Sequence, residues 1–215
     1  MGGETSQPPL GNKKILCGVN VPEVKLTDEV RRQPGVAKGI GVRVVMTRDH
    51  LEGIPEYSLP EGFSVRWYQP GDEKHWMDIH YAAYQGENLP ADLFEQKFGS
   101  HPQELPRRQC YLISPGGEVI GTSSAWFDDN FEGRPFGRIH YIAILPEHHG
   151  KGLSKPLLSL TCNRLRELGH DRVYLVTATA RARAIGIYFQ YGFKPYARSE
   201  EEAKAWKEFV RPERK

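Results

Sequence analysis

The chain has 215 residues, of which 39% are hydrophobic and 26% charged, and its formal net charge is +2. This length suits one domain with appended segments, and the composition excludes a fibrous protein or one lacking a packed core. The nearly balanced charge provides no bulk attraction to nucleic acid or to a membrane surface, so neither is expected as a partner.

The three cysteines lie far apart, at Cys17, Cys110 and Cys162, and form no C-x-x-C pair. This spacing excludes zinc-ribbon and dithiol redox motifs. A reducing, cytoplasmic location is the simpler interpretation of so few thiols. No run of about 18 apolar residues is present, so no membrane span is expected.

Residues 1–60 are rich in glycine and proline and show little hydrophobic periodicity. Short strands are predicted at ILCGVNV (15–21) and GVRVVM (41–46). We interpret this region as an N-terminal extension, with residues 1–13 as an irregular tail. It is a candidate arm of a homodimer or a candidate lid.

Residues 61–197 have alternating strand and helix signals, which is the pattern of an α/β domain. The predicted elements are a strand at 63–68, a turn and helix within 69–86, a helix at 89–99, a hairpin at 109–129, a strand at 137–146, a helix at 154–169, a strand at 171–179 and a helix at 180–193. Their order predicts a mixed, α+β type of sheet flanked by helices.

Residues 198–215 are predicted to form a C-terminal helix and tail. Ser199 and Glu202 have the spacing of a capping box, in which each side chain accepts a hydrogen bond from the other residue's backbone. The apolar face that we expect to dock on the domain comprises Ala203, Trp206, Phe209 and Val210.

A glycine-rich and basic stretch, EHHGKG (147–152), joins a predicted strand to the helix that begins near Leu153. Glycines let the backbone turn sharply and keep side chains away from an approaching ligand. Successive backbone N–H groups and a helix N-terminus together attract anions. Lys151 and Lys155 add positive charge, so a diphosphate is the ligand that this stretch suits.

Two alternatives for this stretch stay open on the residues alone, while the Walker and dinucleotide-binding patterns are absent. The first alternative is an ordinary strand-to-helix turn. The second is a metal site on His148 and His149. Adjacent histidines in a turn seldom point at one ion, and no third ligand lies close in the sequence, so no metal is predicted.

The stretch His149-Gly150-Lys151-Gly152-Leu153-Ser154 resembles motif A of the GNAT superfamily of N-acetyltransferases, [Q/R]-x-x-G-x-[G/A]. His149 replaces the usual Gln or Arg, and Ser154 replaces the usual Gly or Ala. The segment ARARAIGIYFQYGF (180–193) resembles motif B. The residues at the expected offsets of motif B are Ala184, Ile185, Tyr188, Gly192 and Phe193. The resemblance covers residues 63–197.

The resemblance implies a GNAT-like fold and an N-acetyltransferase that uses acetyl-CoA as co-substrate and an amine of a small molecule or peptide as acceptor. Direct attack within a ternary complex is implied. The diphosphate is expected on the backbone N–H groups that follow His149, and the pantetheine arm along the preceding strand. The implied cofactor-binding residues are Ile142, Ala143, Ile144, His149, Gly150, Lys151, Gly152, Leu153, Ser154 and Lys155.

Tyr188 is implied as the acid that protonates the leaving thiolate. His140 is the candidate base, because the predicted strand at 137–146 carries no glutamate and a histidine titrates near neutrality. Simple alternation along this strand places Arg138, His140, Ile142 and Ile144 on one face.

Trp126, Asp128 and Asp129 follow the third strand of the domain and are candidate acceptor-binding residues, with carboxylates suited to a cationic amine. A polar hairpin loop with one hydrophobic anchor is the alternative for these three residues. For the whole chain, the alternatives are a non-catalytic acyl-CoA-binding module, a different acyl donor or a hydroxyl acceptor. The sequence does not identify the acceptor.

Overall fold

The computed structural model of the protein describes residues 41–84 and 88–210. The strands are β1 (Arg43–Arg48), β2 (Ser64–Trp67), β3 (Gln109–Ile113), β4 (Val119–Phe131), β5 (Arg134–Ile144), β6 (Val173–Ala178) and β7 (Lys194–Tyr196). The α-helices are α1 (Glu73–Ala83), α2 (Leu93–Phe98), α3 (Leu105–Arg108), α4 (Ser154–Glu167), α5 (Ala182–Gln190) and α6 (Glu200–Val210). Short 3₁₀ turns span Pro102–Glu104 and Pro146–His148.

The strands form one seven-stranded sheet in the order β2-β3-β4-β5-β6-β1-β7. Every neighbouring pair is antiparallel except β5 and β6, which run parallel. Helix α4 connects these two strands, as a parallel pair requires. The predicted α/β fold with a mixed sheet is therefore confirmed.

Strand β1 is an internal strand of this sheet, because it lies between β6 and β7. Its residues Val44, Val45 and Met46 are fully buried, which is typical of a strand covered on both faces. Leu51 and Ile54 join the same core. Residues 41–60 are thus built into the domain that the sequence placed after residue 60. The strand predicted at 15–21 lies outside the described residues.

The sheet has a hydrophobic core on each face. On β4, Ala125 packs in the cluster formed with α4, α5 and α6, whereas the adjacent Trp126 packs in the cluster formed with α1 and α2. We call these the α4 face and the α1 face. Neighbouring residues of a strand point to opposite sides, so each helix layer buries its own set of strand residues.

The C-terminal helix α6 docks on the α4 face as predicted, with Trp206 fully buried. One half of the expected capping box is present, since the Glu202 N–H donates to Ser199 Oγ at 3.2 Å. The Glu202 carboxylate instead accepts from the Arg198 backbone N–H at 2.8 Å. Within residues 41–84 and 88–210, every helix is too short or too polar to cross a bilayer.

Candidate active site

The centre of the candidate site is a gap between the two parallel strands. β5 and β6 are paired from Gly137–Val173 to Ile139–Leu175, and no later pair joins them in the described part of the chain. A cavity of about 280 Å³ occupies the gap. Its walls include His140, Tyr141 and Ile142 of β5, Leu175 of β6, and Tyr188 of α5.

A β-bulge in β5 changes which side chains face each side of the gap. Tyr141 has a positive φ of 52°, and the pairing with β4 shifts by one residue between Ala143 and His140. His140 contacts Phe98 on the α1 face, whereas Ile142 and Ile144 pack on the α4 face. The prediction that these three residues share one face is therefore wrong, because the bulge inserts an extra residue into the alternation.

The glycine-rich loop after β5 presents a row of backbone donors. Gly150 and Gly152 have φ values of 79° and 76°, and a Cβ at either position would meet no atom within 4 Å. Among the hydrogen bonds of the described residues, none uses the backbone N–H groups of residues 150–155 as donors. This geometry fits a diphosphate, because the donors are open and lead into the N-terminus of α4.

Side chains of the loop hold its shape. The ring of His149 hydrogen-bonds the Ile144 carbonyl through Nε2 at 2.9 Å, which ties the loop to the end of β5. The ring of His148 is turned instead to Lys151, with Nδ1 and Nζ 3.2 Å apart. The two histidines therefore have separate partners. Within the part of the chain that the structure describes, no group of three His, Cys, Asp or Glu side chains is placed to hold a metal ion.

The first two turns of α4 are held by contacts with other segments. Tyr191 donates its hydroxyl to the Lys155 carbonyl at 2.7 Å, and Ser159 donates to the Pro55 carbonyl at 2.6 Å. The Lys155 ammonium lies 4.8 Å from the ring centre of Tyr57. Ser154 is exposed as the first residue of the helix. These contacts fix the helix N-terminus and leave its donors uncovered.

Tyr188 lies on α5 and is 8% exposed, with its exposed part in the cavity. Burial raises the pKa of its hydroxyl well above the usual range, and the neighbouring Tyr84 acts in the same direction. The phenol therefore stays protonated at neutral pH. That state is the one an acid needs before it gives up its proton.

His140 is 5% exposed and also lines the cavity. Burial holds the pKa of its ring well below the ordinary value, and the Arg138 guanidinium lowers that pKa further. The expectation that His140 titrates near neutrality is therefore contradicted, because desolvation disfavours its charged form. The ring is neutral at neutral pH.

The residues predicted to bind the acceptor do not line the cavity. Trp126 is buried against Phe98 at 5.0 Å between ring centres. Asp128 accepts a hydrogen bond from the Tyr174 hydroxyl at 2.7 Å, and Asp129 is exposed. Arg43, which lines the cavity together with Arg181, was not predicted from the sequence. Arg138 was placed on the correct strand face, but no part in binding was assigned to it.

Comparison with known proteins identifies the family to which this site belongs. Residues 66–193 match the Acetyltransferase (GNAT) family. Relatives include the mycothiol acetyltransferase of Thermobispora bispora, 30% identical over 161 residues, which cover 69% of this chain and 52% of that protein. The mycothiol acetyltransferase of Pseudarthrobacter chlorophenolicus is 28% identical over 145 residues, which cover 65% of this chain and 45% of that protein. The chain spans about half the length of these curated relatives.

Solved structures with the same fold include a GCN5-related N-acetyltransferase from Sphaerobacter thermophilus. Its TM-score is 0.60 at 20% identity, and the match covers 72% of this chain and 48% of that one. Spermidine N-acetyltransferase from Vibrio cholerae, in complex with CoA and spermine, has a TM-score of 0.50 at 19% identity, covering 64% of this chain and 84% of that one. At these identities the likeness shows the fold alone.

Proposed function

The chain belongs to the acetyltransferase (GNAT) family, and from this premise we propose that it transfers an acetyl group from acetyl-CoA to an amine of a small molecule or peptide. The attack occurs directly within a ternary complex. The observation that carries the proposal is the continuity of three features: the open donors of residues 150–155, the gap between β5 and β6, and the Tyr188 side chain in that gap.

In this proposal the diphosphate of acetyl-CoA binds the backbone N–H groups between Gly150 and Lys155. His149 positions the loop through its bond to the Ile144 carbonyl. The pantetheine arm lies along Ile142, Ala143 and Ile144, whose edge facing β6 has no strand partner in the described part of the chain. Backbone groups in such an edge are available to a ligand that adds itself like a strand.

The amine nitrogen attacks the thioester carbonyl carbon, so a C–N bond forms and the C–S bond breaks. The departing sulfur takes a proton from the Tyr188 hydroxyl. The attacking nitrogen loses one proton, and His140 is the proposed acceptor, directly or through a water molecule. Its ring is neutral at neutral pH, because burial and the Arg138 guanidinium lower its pKa, so one ring nitrogen has a lone pair for this proton.

We propose a reducing, cytoplasmic compartment for the protein. The thiols of Cys110 and Cys162 are unpaired and buried, and burial raises the pKa of each to about 12. Protonated, buried thiols of this kind are inert. A homodimer is also proposed, and sedimentation equilibrium of the full chain tests it.

The experiment that tests the activity follows CoA thiol release from acetyl-CoA with a panel of amines, together with mass spectrometry of the amine. We expect thiol release that depends on the amine, and an acceptor heavier by one acetyl group. Tight CoA binding without thiol release for any amine would instead make the chain an acyl-CoA-binding module. Acetyl transfer to a hydroxyl acceptor alone would change the acceptor class.

A further inference from the structure

The charges around the cavity point to the kind of acceptor. Resting on the function proposed above, we propose that the acceptor amine carries an anionic group, best matched by a carboxylate. Arg138 binds this group on the α1 face of the cavity, assisted by Arg43 and Arg181. The acceptor is then an amino acid or a similar amine with a carboxylate, rather than a polyamine.

The described walls of the cavity are cationic. Three arginines, Arg43, Arg138 and Arg181, contribute to them, and none of the described lining residues is an aspartate or a glutamate. The two carboxylates that the sequence suggested for a cationic amine lie elsewhere, and Asp128 is occupied by the Tyr174 hydroxyl. A substrate with a second positive charge would meet like charge on these described walls, which costs binding energy.

Arg138 differs from the ion-paired arginines of the described chain. Arg66, Arg108 and Arg198 each form an ion pair with a carboxylate at 2.6 Å. Arg138 forms none among the described residues, and its Nε atom is buried without a hydrogen-bond partner. This buried Nε–H lacks the acceptor that normally offsets the loss of its hydration, and a ligand carboxylate would supply one.

The position of Arg138 is fixed by packing. Its guanidinium carbon lies 5.4 Å from the ring centre of Tyr174. The hydroxyl of Tyr174 is in turn held by Asp128 at 2.7 Å. Asp128 therefore does not contact the ligand in this proposal. It orients the Tyr174 ring, against which the Arg138 guanidinium packs. A fork held in one plane suits bidentate binding of a carboxylate.

The two other arginines approach from the opposite side of the gap. The Arg181 guanidinium lies 4.2 Å from the ring centre of Tyr84 and donates to its hydroxyl at 3.2 Å. Arg43 is exposed at the start of β1, opposite Ala178 of β6. The cationic surroundings serve the chemistry as well, because they favour the neutral form of the amine, and only that form attacks the thioester.

The test compares α-amino acids with their own amides as acceptors of acetyl-CoA, for the natural sequence and for Arg138→Gln. We expect the ratio of kcat/KM for acid over amide to fall by at least about tenfold in Arg138→Gln, the size expected for one charged hydrogen-bonded pair. Because both proteins receive the same acceptors, the difference in amine pKa between acid and amide cancels from this comparison.

Two further variants make the result specific. Arg183→Gln removes a guanidinium from the exposed side of α5, outside the cavity, and should leave the ratio unchanged. Arg138→Lys keeps the charge and loses the fork, and should retain part of the preference. Circular dichroism and thermal melting confirm that each variant is folded before its kinetics are compared.

The proposal is overturned if the acid-to-amide ratio is unaffected by Arg138→Gln, or if a diamine is the best acceptor of the natural sequence. A strong preference for succinyl-CoA over acetyl-CoA, with no preference among acceptors, places the anion on the acyl chain and also overturns it. If no amine releases thiol, the enzymatic function fails. Calorimetry then compares the affinities of the acid and the amide for the CoA-loaded protein, and this comparison tests the inference separately from the enzymatic function.

Discussion

The two halves of the gap between β5 and β6 are built by different means. On the α4 face, the proposed acetyl-CoA site consists largely of backbone: the donors of residues 150–155 and the edge of β5 at residues 142–144, which no strand of the described part of the chain pairs on the β6 side. On the α1 face, the proposed acceptor site consists of side chains, with Arg138, His140 and Arg181 around an aromatic wall. Ligand binding to a backbone site tolerates the substitution of most side chains. Ligand binding to a side-chain site changes whenever one of its side chains is substituted.

The difference teaches where specificity resides. A backbone site recognises what all acyl-CoA molecules share, which is the diphosphate and the pantetheine amides. The side-chain site recognises what distinguishes one acceptor from another. The predictions below separate the two halves, because a change in one half should leave the binding constant of the other unaltered.

The largest expected effect belongs to the residue between the halves. Tyr188→Phe removes the hydroxyl that protonates the leaving thiolate, and kcat should fall by about 10²- to 10⁴-fold. The dissociation constant of CoA should change little, because the ring and its packing remain. Steady-state kinetics and calorimetry measure the two quantities.

Tyr81→Phe is the matched control for this prediction. It removes a hydroxyl from a ring that is 43% exposed on α1, and kcat should be unchanged. Equal kcat values for the natural sequence and Tyr188→Phe would show that solvent, or another group, protonates the thiolate.

The next largest effect concerns the backbone site. Gly152→Asp places a carboxylate where the diphosphate is proposed to bind, and CoA affinity should fall by at least about 100-fold, since a like charge at close range costs several kcal/mol. Calorimetry with CoA measures this loss. Affinity of the acceptor in the absence of CoA should be unaffected.

Gly169→Asp provides an unusually close control. Gly169 also has a positive φ, 84°, and a Cβ there would also meet no atom within 4 Å, but it follows the C-terminal end of α4. Both variants therefore carry the same charge and similar backbone strain. Equal losses of CoA affinity in the two variants would mean that strain, rather than position, is responsible.

The same division explains what could be predicted from the sequence. The loop and motif B were predictable because a positive φ favours glycine, and a glycine can be recognised in the sequence. At Gly192, which has φ 74°, a Cβ would lie 2.6 Å from an Arg48 nitrogen. The β5 bulge was not predictable, since Tyr141 is a non-glycine residue at φ 52° and carries no such signature.

The acceptor side was harder to predict for a further reason. Arg43 and Arg138 are 95 positions apart in number, and their proximity to one cavity depends on β1 lying beside β6. Short-range patterns cannot report a pairing between strands so distant in the chain. Asp128 and Asp129 illustrate the same limit, because the hairpin turns Asp128 towards Tyr174 instead of the cavity.

The α1 face should also be the acid-sensitive half of the fold. His80 is fully buried, its two ring nitrogens have no hydrogen-bond partner, and burial lowers its pKa to about 3, with Arg181 acting in the same direction. Below pH 6.5 the unfolded chain binds protons at this position and the folded chain does not. The free energy of unfolding therefore falls as the pH falls, by about 2 kcal/mol from this residue between pH 6.5 and pH 5.

Urea denaturation of the natural sequence and of His80→Phe at pH 7 and pH 5 tests this expectation. The acid-induced loss of stability should be smaller by about 2 kcal/mol in His80→Phe. His75→Phe makes the same change at an exposed position of the same helix and should keep the full loss. An equal loss in all three proteins would mean that His80 is charged, or solvated, in the folded state.

The smallest expected effect is the most direct test of a backbone-built acetyl-CoA site. Lys151 is exposed, and in the described chain its ammonium lies beside the His148 ring rather than against the open donors. Lys151→Ala should weaken CoA binding by no more than about fivefold, and the difference should shrink as ionic strength rises, because the charge is screened. Lys204→Ala, at an exposed position of α6, controls for the loss of one positive charge. A loss near that of Gly152→Asp would mean that this side chain, rather than the backbone, holds the diphosphate, and the contrast between the two halves would no longer stand.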